Sequence, residues 1–402
     1  MKKRTGVLLL LIALAIITFL DRLCISVAGP RMQDELHIDP ARWGWILGAF
    51  VLSYGVFEIP TGALGDRLGQ RRVLARIVLW WSVFTSLTGA SRTFWQLLAT
   101  RFLFGVGEAG AYPNASGVIA RWFPPTERAR AQGFVWAASR LGGALSPILV
   151  VPLLGVVGWR MTFVIFGAIG VVWVVVWRRF YRDALAPVDT PSHTDIPWGL
   201  ILRSSQVWLI FVTYGCYAWG SWFYMAWLPT YLVRGAGFSE SEMGIFSSFP
   251  FVLGVAGNVT GGFLSDRLVR KYGLKIGRRA VACSSLATSS LLIAGMAAVR
   301  NKTAIVVLCS LGFGVMDLML PAAWAVCLDI GHEYSGVVTG IMNSSGQLGG
   351  FLCTVLFGYV IRASGSYTIP LFTIAGMVMT SAMLFSRIDP TQALTRTEVC
   401  AA

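Results

Sequence analysis

The chain has 402 residues, of which 55% are hydrophobic and only 13% charged, too apolar and too poor in charge for a soluble domain of this length. The formal charge of +14 would suggest nucleic acid on a soluble chain. Here the basic residues gather between apolar runs, as they do on membrane-protein loops, and nucleic-acid binding is set aside. Seven cysteines lying mostly inside apolar runs, and three histidines, offer no metal spacing and no disulfide framework.

In chain order, Met1-Lys2-Lys3-Arg4 precedes a leucine-rich run with the look of a signal peptide. That run continues past Asp21-Arg22 to about Gly29 without a small-residue cleavage site, so a retained first helix is expected. Apolar runs between polar or Gly/Pro breaks predict helices near 6–29, 42–64, 73–90, 95–119, 131–155 and 160–181. The stretch 182–205, with Pro187, Asp189, Pro191, His193 and Asp195, lacks helical periodicity and reads as a cytoplasmic linker. Six more helices follow near 206–232, 242–264, 280–299, 304–328, 336–361 and 368–386, and 387–402 forms a tail. Runs of this length can cross about 30 Å of hydrocarbon. The expected fold is therefore an all-α membrane protein of twelve transmembrane helices, in two six-helix bundles over 1–181 and 206–386. With both termini placed in the cytoplasm, most of the 33 lysines and arginines fall on cytoplasmic segments, as the positive-inside rule requires.

The two halves repeat. Gly62 with Asp66-Arg67-Leu68 returns 200 residues later as Gly262 with Asp266-Arg267-Leu268. Beyond that loop the separation is 207: Arg71-Arg72 matches Arg278-Arg279, Gly105 and Gly107 match Gly312 and Gly314, and Leu141-Gly142-Gly143 matches Leu348-Gly349-Gly350. A seven-residue insertion in the second loop accounts for the change. Six helices return the chain to the same side, so the repeat is parallel, and halves of this kind rock about a site at their interface. The glycines are expected to let helices approach closely.

A signature of glycine, three residues, Asp-Arg, one residue, glycine, one residue and two basics stands as Gly62, Asp66, Arg67, Gly69, Arg71 and Arg72. With the second copy and the twelve runs, the chain resembles the major facilitator superfamily. More closely, Asp21-Arg22, Tyr54, Arg101 with Glu108, Arg121-Trp122-Phe123-Pro124, Gly158-Trp159-Arg160 and Trp227-Leu228-Pro229-Thr230-Tyr231-Leu232 resemble its anion:cation symporter branch. That branch includes bacterial galactonate, glucarate and hexuronate carriers, sialin and the vesicular glutamate transporters. The resemblance implies alternating-access transport of a small organic anion, such as a sugar acid, by a monomer in the bacterial inner membrane. It also implies Tyr54 at the substrate site.

Ionisable side chains at membrane depth are costly unless paired, hydrated or functional. Those here are Asp21, Arg22, Glu58, Arg76, Arg101, Glu108, Arg140 and Asp317. Arg76 can snorkel to the surface. Arg101 and Glu108 stand two turns apart on one helix face, either lining a cavity or pairing with Asp21 and Arg22 to hold helices one and four together. Arg22 is the expected anion contact, because a guanidinium keeps its charge and grips a carboxylate through two hydrogen bonds. Asp21 and Glu108 are the expected proton carriers, and no cofactor is implied beyond H+ as coupling ion. Arg140 would meet a second anionic group or compensate Glu108; Glu58 and Asp317 stay open between coupling and helix packing. Tyr214 and Tyr217, with Ser221 and Tyr224, and Asn343 with Gln347 lie at helical spacings that could receive the body and hydroxyls of a substrate, or serve packing. Asp66, Arg67, Asp266 and Arg267 are expected to gate through charge contacts. No nucleophile elbow or phosphate loop points to an enzyme. Within transport, sodium-coupled or uncoupled exchange and, more distantly, drug efflux are the alternatives.

Overall fold

The computed structural model describes residues 2–123, 125–182, 198–331 and 334–394. The side chains of Asp66 and Arg67 lie outside the described residues, and with them the gating contact expected of that pair.

Helix α1 (Lys2–Glu35) runs past the expected end at Gly29, straight through Pro30. Polar contacts hold the extension: Arg31 bonds Glu240, Arg234 bonds Asp34, and Arg160 bonds Glu35. Tertiary partners thus override the local signal to stop. Helix α2 (Pro40–Leu68) starts on a proline whose fixed φ suits the first turn, with the Asp39 carboxylate accepting from the amides of Ala41 at 2.9 Å and Arg42 at 3.2 Å. Helix α3 (Gln70–Ala90) follows. The fourth span is broken into α4 (Phe94–Glu108), capped by Thr93, and α5 (Ala111–Trp122). Helices α6 (Pro125–Val156) and α7 (Gly158–Phe180) complete the first half.

Inside the stretch read as linker, residues Trp198–Arg203 form a short helix, α8; residues 183–197 lie outside the described set. The seventh span is α9 (Ser205–Ala226), α10 (Leu228–Thr230) and a π-helical turn over Tyr231–Gly235. The eighth is α11 (Glu240–Phe246), with a capping box between Ser239 and Glu242, and α12 (Phe249–Tyr272). The last four spans are α13 (Leu274–Ala298), the broken pair α14 (Lys302–Asp317) and α15 (Leu320–Gly331), α16 (Ser335–Ser364) and α17 (Ile369–Phe385). Eight helical stretches among the described residues are long and apolar enough by themselves to cross a membrane. The other four of the twelve spans are the second, the broken fourth and seventh, and the shorter α17.

The sequence repeat is also a structural one. The α2–α3 and α12–α13 turns both hinge on a glycine with positive φ, Gly69 at 83° and Gly273 at 81°, a region that side chains with a Cβ avoid. The seven-residue insertion is absorbed by the helices around that turn. Four residues lengthen the end of α12, from Asp266 to Tyr272 against Asp66 to Leu68. Three lengthen the start of α13, placing Arg278 five residues after Gly273 where Arg71 stands two after Gly69.

By contacts the chain forms two compact units. One holds the first six spans with Met225–Phe249 and Thr354–Ala363, and the other holds the remainder of the seventh to twelfth spans with the C-terminal segment. In the first unit α1 packs on α6, α2 on α4 and α3 on α7. Glycines serve as expected: a Cβ on Gly105 would lie 2.6 Å from the Phe50 carbonyl oxygen, and one on Gly142 2.7 Å from that of Ile16. In the second unit α13 packs on α17 and α14, and a Cβ on Gly349 would lie 2.2 Å from the carbonyl oxygen of Gly215. After α17 the chain is tied back by Asp389, which accepts from Lys275 at 2.6 Å and from the Thr391 hydroxyl at 2.6 Å. The Lys275 hydrogen bond first, then that of Thr391, holds its carboxyl down at a pKa of about 2.

Candidate functional site

Among the described residues, the strongest concentration of buried charge lies in the first unit, where α1, α2, α4 and α5 meet. Asp21, Arg101 and Glu108 are buried, and the Arg22 side chain keeps 11% of its surface exposed. Arg22 donates from Nε at 3.0 Å and from Nη2 at 2.5 Å, both to Oε1 of Glu108; Oε2 of Glu108 is buried with no hydrogen bond. The guanidinium is boxed by three rings, Phe19 and Phe50 at 5.1 Å and Tyr54 at 4.9 Å from their centroids. Arg101 sits over Phe104 at 4.5 Å and Phe50 at 4.9 Å, so Phe50 lies between two guanidinium groups. Each such contact is worth about 2 kcal/mol when desolvated. The rings therefore stabilise cations at membrane depth without neutralising them.

Asp21 differs from Glu108. Neither of its carboxyl oxygens makes a hydrogen bond, although the Trp81 indole and the charges of Glu108 and Arg101 act on it. Two acids and two guanidiniums thus share one buried volume, with a single direct ion pair among them. The structure brings Asp21, Arg22, Arg101 and Glu108 together within the first unit. Tyr54 joins them through its ring. Arg140 of α6 is half-buried and reaches the cluster electrostatically through Tyr112, whose hydroxyl also feels Arg22 and Glu108. Tyr112 bonds Ser139 at 2.7 Å and stacks on Trp136 at 5.0 Å. Glu58, half-buried, acts on the Tyr54 hydroxyl.

The remaining candidates lie in the second unit. Tyr214 and Tyr217 of α9 are neighbours with ring centroids 5.3 Å apart, and a Cβ on Gly346 of α16 would touch the Tyr214 ring at 2.7 Å. The close approach of α9 and α16 at Gly215 and Gly349 brings the helix bearing Asn343 and Gln347 beside the tyrosines; Asn343 and Gln347 are both half-buried. The Tyr217 hydroxyl donates to Oδ1 of Asp317 at 3.1 Å. At the α12 end, Asp266 accepts from Arg278 at 3.1 Å, and the same arginine reaches Asp329 at 3.3 Å and Ser265 at 2.9 Å. Arg267 is exposed. Asp266 and Asp329 thus share the one guanidinium of Arg278.

Sequence reasoning missed the aromatic box, because Phe19, Phe50 and Phe104 are indistinguishable from core residues until an arginine is seen over them. It also missed the polar clasp at the end of α1. There Arg31 bonds both carboxylate oxygens of Glu240 and the carbonyl of Leu154. Arg234 bonds Asp34 at 2.5 Å and the Pro30 carbonyl at 2.9 Å. Glu35 accepts from the Trp159 indole at 2.5 Å and from Arg160 at 2.9 Å.

Comparison with known proteins places this arrangement in a family. A probable sulfoacetate transporter of Cupriavidus necator is 32% identical over 397 residues, covering 94% of this chain and 92% of that one. A hexuronate transporter of Bacillus subtilis is 29% identical over 380 residues, covering 91% and 90%. A probable L-galactonate transporter of Escherichia coli is 27% identical over 406 residues, covering 95% and 88%. The fold matches the crystal structure of a bacterial homologue of the human lysosomal transporter Spinster with a TM-score of 0.86 at 19% identity, covering 99% of this chain and all of that one. Residues 11–354 match the family model of the Major Facilitator Superfamily. The chain, built of twelve membrane-spanning helical segments with a buried charge cluster in its first unit, belongs to the major facilitator superfamily of transporters.

Proposed function

We infer that this protein is a secondary active transporter that moves a small organic anion together with protons by alternating access. The observation that carries the reading is the Arg22–Glu108 pair with Asp21 beside it, unbonded, in the buried interior of a membrane protein. Such charges are retained at membrane depth when they work, and a buried ion pair is a poor device for stability alone. The names of the relatives, transporters of sulfoacetate, hexuronate and L-galactonate, support an anionic cargo, with a sugar acid as the class to test first.

The chemistry follows from the geometry. Arg22 offers an anion two N–H groups that now both rest on one oxygen of Glu108. When a substrate carboxylate takes them, Glu108 loses its compensating charge and gains a like one nearby, which favours proton uptake. A carboxylic acid of ordinary strength needs roughly 4 kcal/mol to stay protonated at neutral pH. Two unit charges about 4 Å apart at an effective dielectric constant of about 20 interact by a similar amount. Exchanging one partner is thus sufficient to change the protonation state. Asp21, buried without a hydrogen bond, is the second carrier, and Arg101 holds the field positive between the acids. By reciprocity, protonation strengthens anion binding by the same factor.

Reconstituted protein will separate coupling from binding. Asp21→Asn and Glu108→Gln are expected to retain exchange of labelled for unlabelled anion, yet to lose concentrative uptake under an inward proton gradient by at least tenfold. Accumulation of substrate by either variant at the parent level would remove that residue from the proton pathway.

A further inference from the structure

The repeat gives the two halves matching basic pairs, Arg71-Arg72 and Arg278-Arg279, but the structure surrounds them differently. In the second unit the charges at this end are answered. Arg278 bonds Asp266 and Asp329, Lys275 bonds Asp389 at 2.6 Å, and Arg279 donates to the Ile388 carbonyl at 2.6 Å. In the first unit the matching end joins two helices instead. Arg71 donates to the carbonyl of Arg178, and the buried Trp177 indole donates to the carbonyl of Arg71 at 3.1 Å, so the start of α3 is fixed to the end of α7. Around that joint stand Arg72, Arg76, Arg178 and Arg179, all exposed, and their guanidinium groups make no hydrogen bond or ion pair among the described residues.

Beneath these arginines lies an apolar surface two helices wide. On α3 the exposed face runs from Arg72 and Arg76 into Leu79, Val83 and Leu87; on α7 it runs from Arg179 into Val175, Val172, Ala168 and Val164. The helices are antiparallel, with Gly89 against Arg160 at one end and Arg71 against Arg178 at the other. Counted from that seam at about 100° per residue, both exposed stripes turn to the same side. The surface therefore offers acyl chains a continuous apolar strip capped by guanidinium groups. Guanidinium forks match phosphate oxygens, and basic pockets between transmembrane helices favour anionic headgroups. Arg76, one turn deeper than Arg72, can lay its stem along the strip and bring its charge to the same level. A zwitterionic headgroup would carry an ammonium into the same cluster, at a like-charge cost.

We propose that this end of the α3–α7 seam is a binding site for an anionic phospholipid, with Arg72, Arg76, Arg178 and Arg179 holding its phosphates and the valine and leucine strip holding its chains. A lipid with two phosphates joined through one glycerol fits best, because a single phosphodiester leaves most of the guanidinium charge unanswered. Arg71 and Trp177 position the two helix ends and do not themselves grip the lipid. The site is independent of what the carrier transports and of how transport is coupled.

Native mass spectrometry of the full-length protein, stripped of lipid in detergent, reads each bound lipid as a discrete addition of mass. With matched acyl chains, diphosphatidylglycerol is expected to bind the parent roughly tenfold or more tightly than phosphatidylethanolamine, with phosphatidylglycerol between them. Arg72→Gln, Arg76→Gln and Arg179→Gln in one protein should weaken diphosphatidylglycerol binding by roughly tenfold or more, whereas Arg203→Gln, Arg270→Gln and Lys271→Gln together should weaken it less than about threefold. The second set removes the same charge from exposed positions of the second unit. Equal losses in the two variants would show diffuse attraction to a basic chain and would overturn the site. A parent that does not distinguish the three lipids would overturn it as well, and that comparison needs no substituted protein. Displacement of the bound lipid by soluble glycerol bisphosphate at equal concentration would show an anion site without a seat for acyl chains, which also contradicts the proposal.

Discussion

Arg22→Ala will abolish transport and will destabilise the folded protein, whereas Arg22→Ala combined with Glu108→Gln will recover stability without recovering transport. Arg22 supplies both hydrogen bonds that Glu108 receives, and the Glu108 side chain has no solvent-exposed surface. Removing the guanidinium leaves a buried carboxyl whose partner is gone, a change that costs about 3–5 kcal/mol when one member of a buried pair is truncated. The double variant removes the orphaned charge together with its partner, so most of that cost disappears. The proposed anion contact stays lost in both. Arg22→Lys is expected to fall between them, since an ammonium can occupy the ring box of Phe19, Phe50 and Tyr54 but cannot present two parallel donors to a carboxylate. Thermal unfolding in detergent and exchange in proteoliposomes measure the two effects separately. Anion exchange by Arg22→Ala within twofold of the parent would show that the cluster is only a tie between helices.

The second large effect is steric. Gly257→Ala will reduce the yield of folded protein sharply, while Gly262→Ala, one turn and a little further along α12, will be tolerated. A Cβ at 257 would sit 2.0 Å from the carbonyl oxygen of Gly314 and 3.0 Å from its carbon, and both are backbone atoms that no rotamer change can move. Separating α12 from α14 to make room forfeits contacts along the whole crossing, at or beyond the roughly 1–3 kcal/mol typical of overpacking. At 262 the nearest atom is the Pro321 Cβ at 3.7 Å, an ordinary contact. Monodisperse yield and melting temperature of the two alanine variants, side by side, provide the check; equal behaviour would mean that the helices do not approach as closely as described.

Much of this molecule is legible in its sequence because a membrane narrows the reasons a residue can be where it is. The twelve spans follow from apolar run length, and the repeat follows from Gly62/Asp66 against Gly262/Asp266. Asp21, Arg22, Arg101 and Glu108 stand out because each interrupts an apolar run. The Arg22 box was not legible: Phe19 and Phe50 are apolar residues among apolar residues, and only the fold puts them around a cation. The clasp at the end of α1 was hidden for another reason. Arg31 and Glu240 are 209 residues apart, and neither carries a local signal of its partner. The interruptions after Glu108 and Asp317 were overlooked because both spans stay apolar across them and Ala109 and Leu318 keep helical dihedrals there. Helix α8 shows the converse, a short turn of helix within a stretch whose prolines and aspartates suggested none. The hydrogen bond of Tyr217 to Asp317 was also hidden, because the two residues are 100 positions apart in the chain.

If protons and an organic anion cross together, as proposed, the vesicle interior records it directly. With pH equal on both sides, the membrane potential clamped and sodium absent, adding an organic acid anion outside should acidify the lumen in step with labelled uptake in the parent, and not in Glu108→Gln. Uptake that leaves lumenal pH unchanged, or that begins only when sodium is supplied, would contradict it.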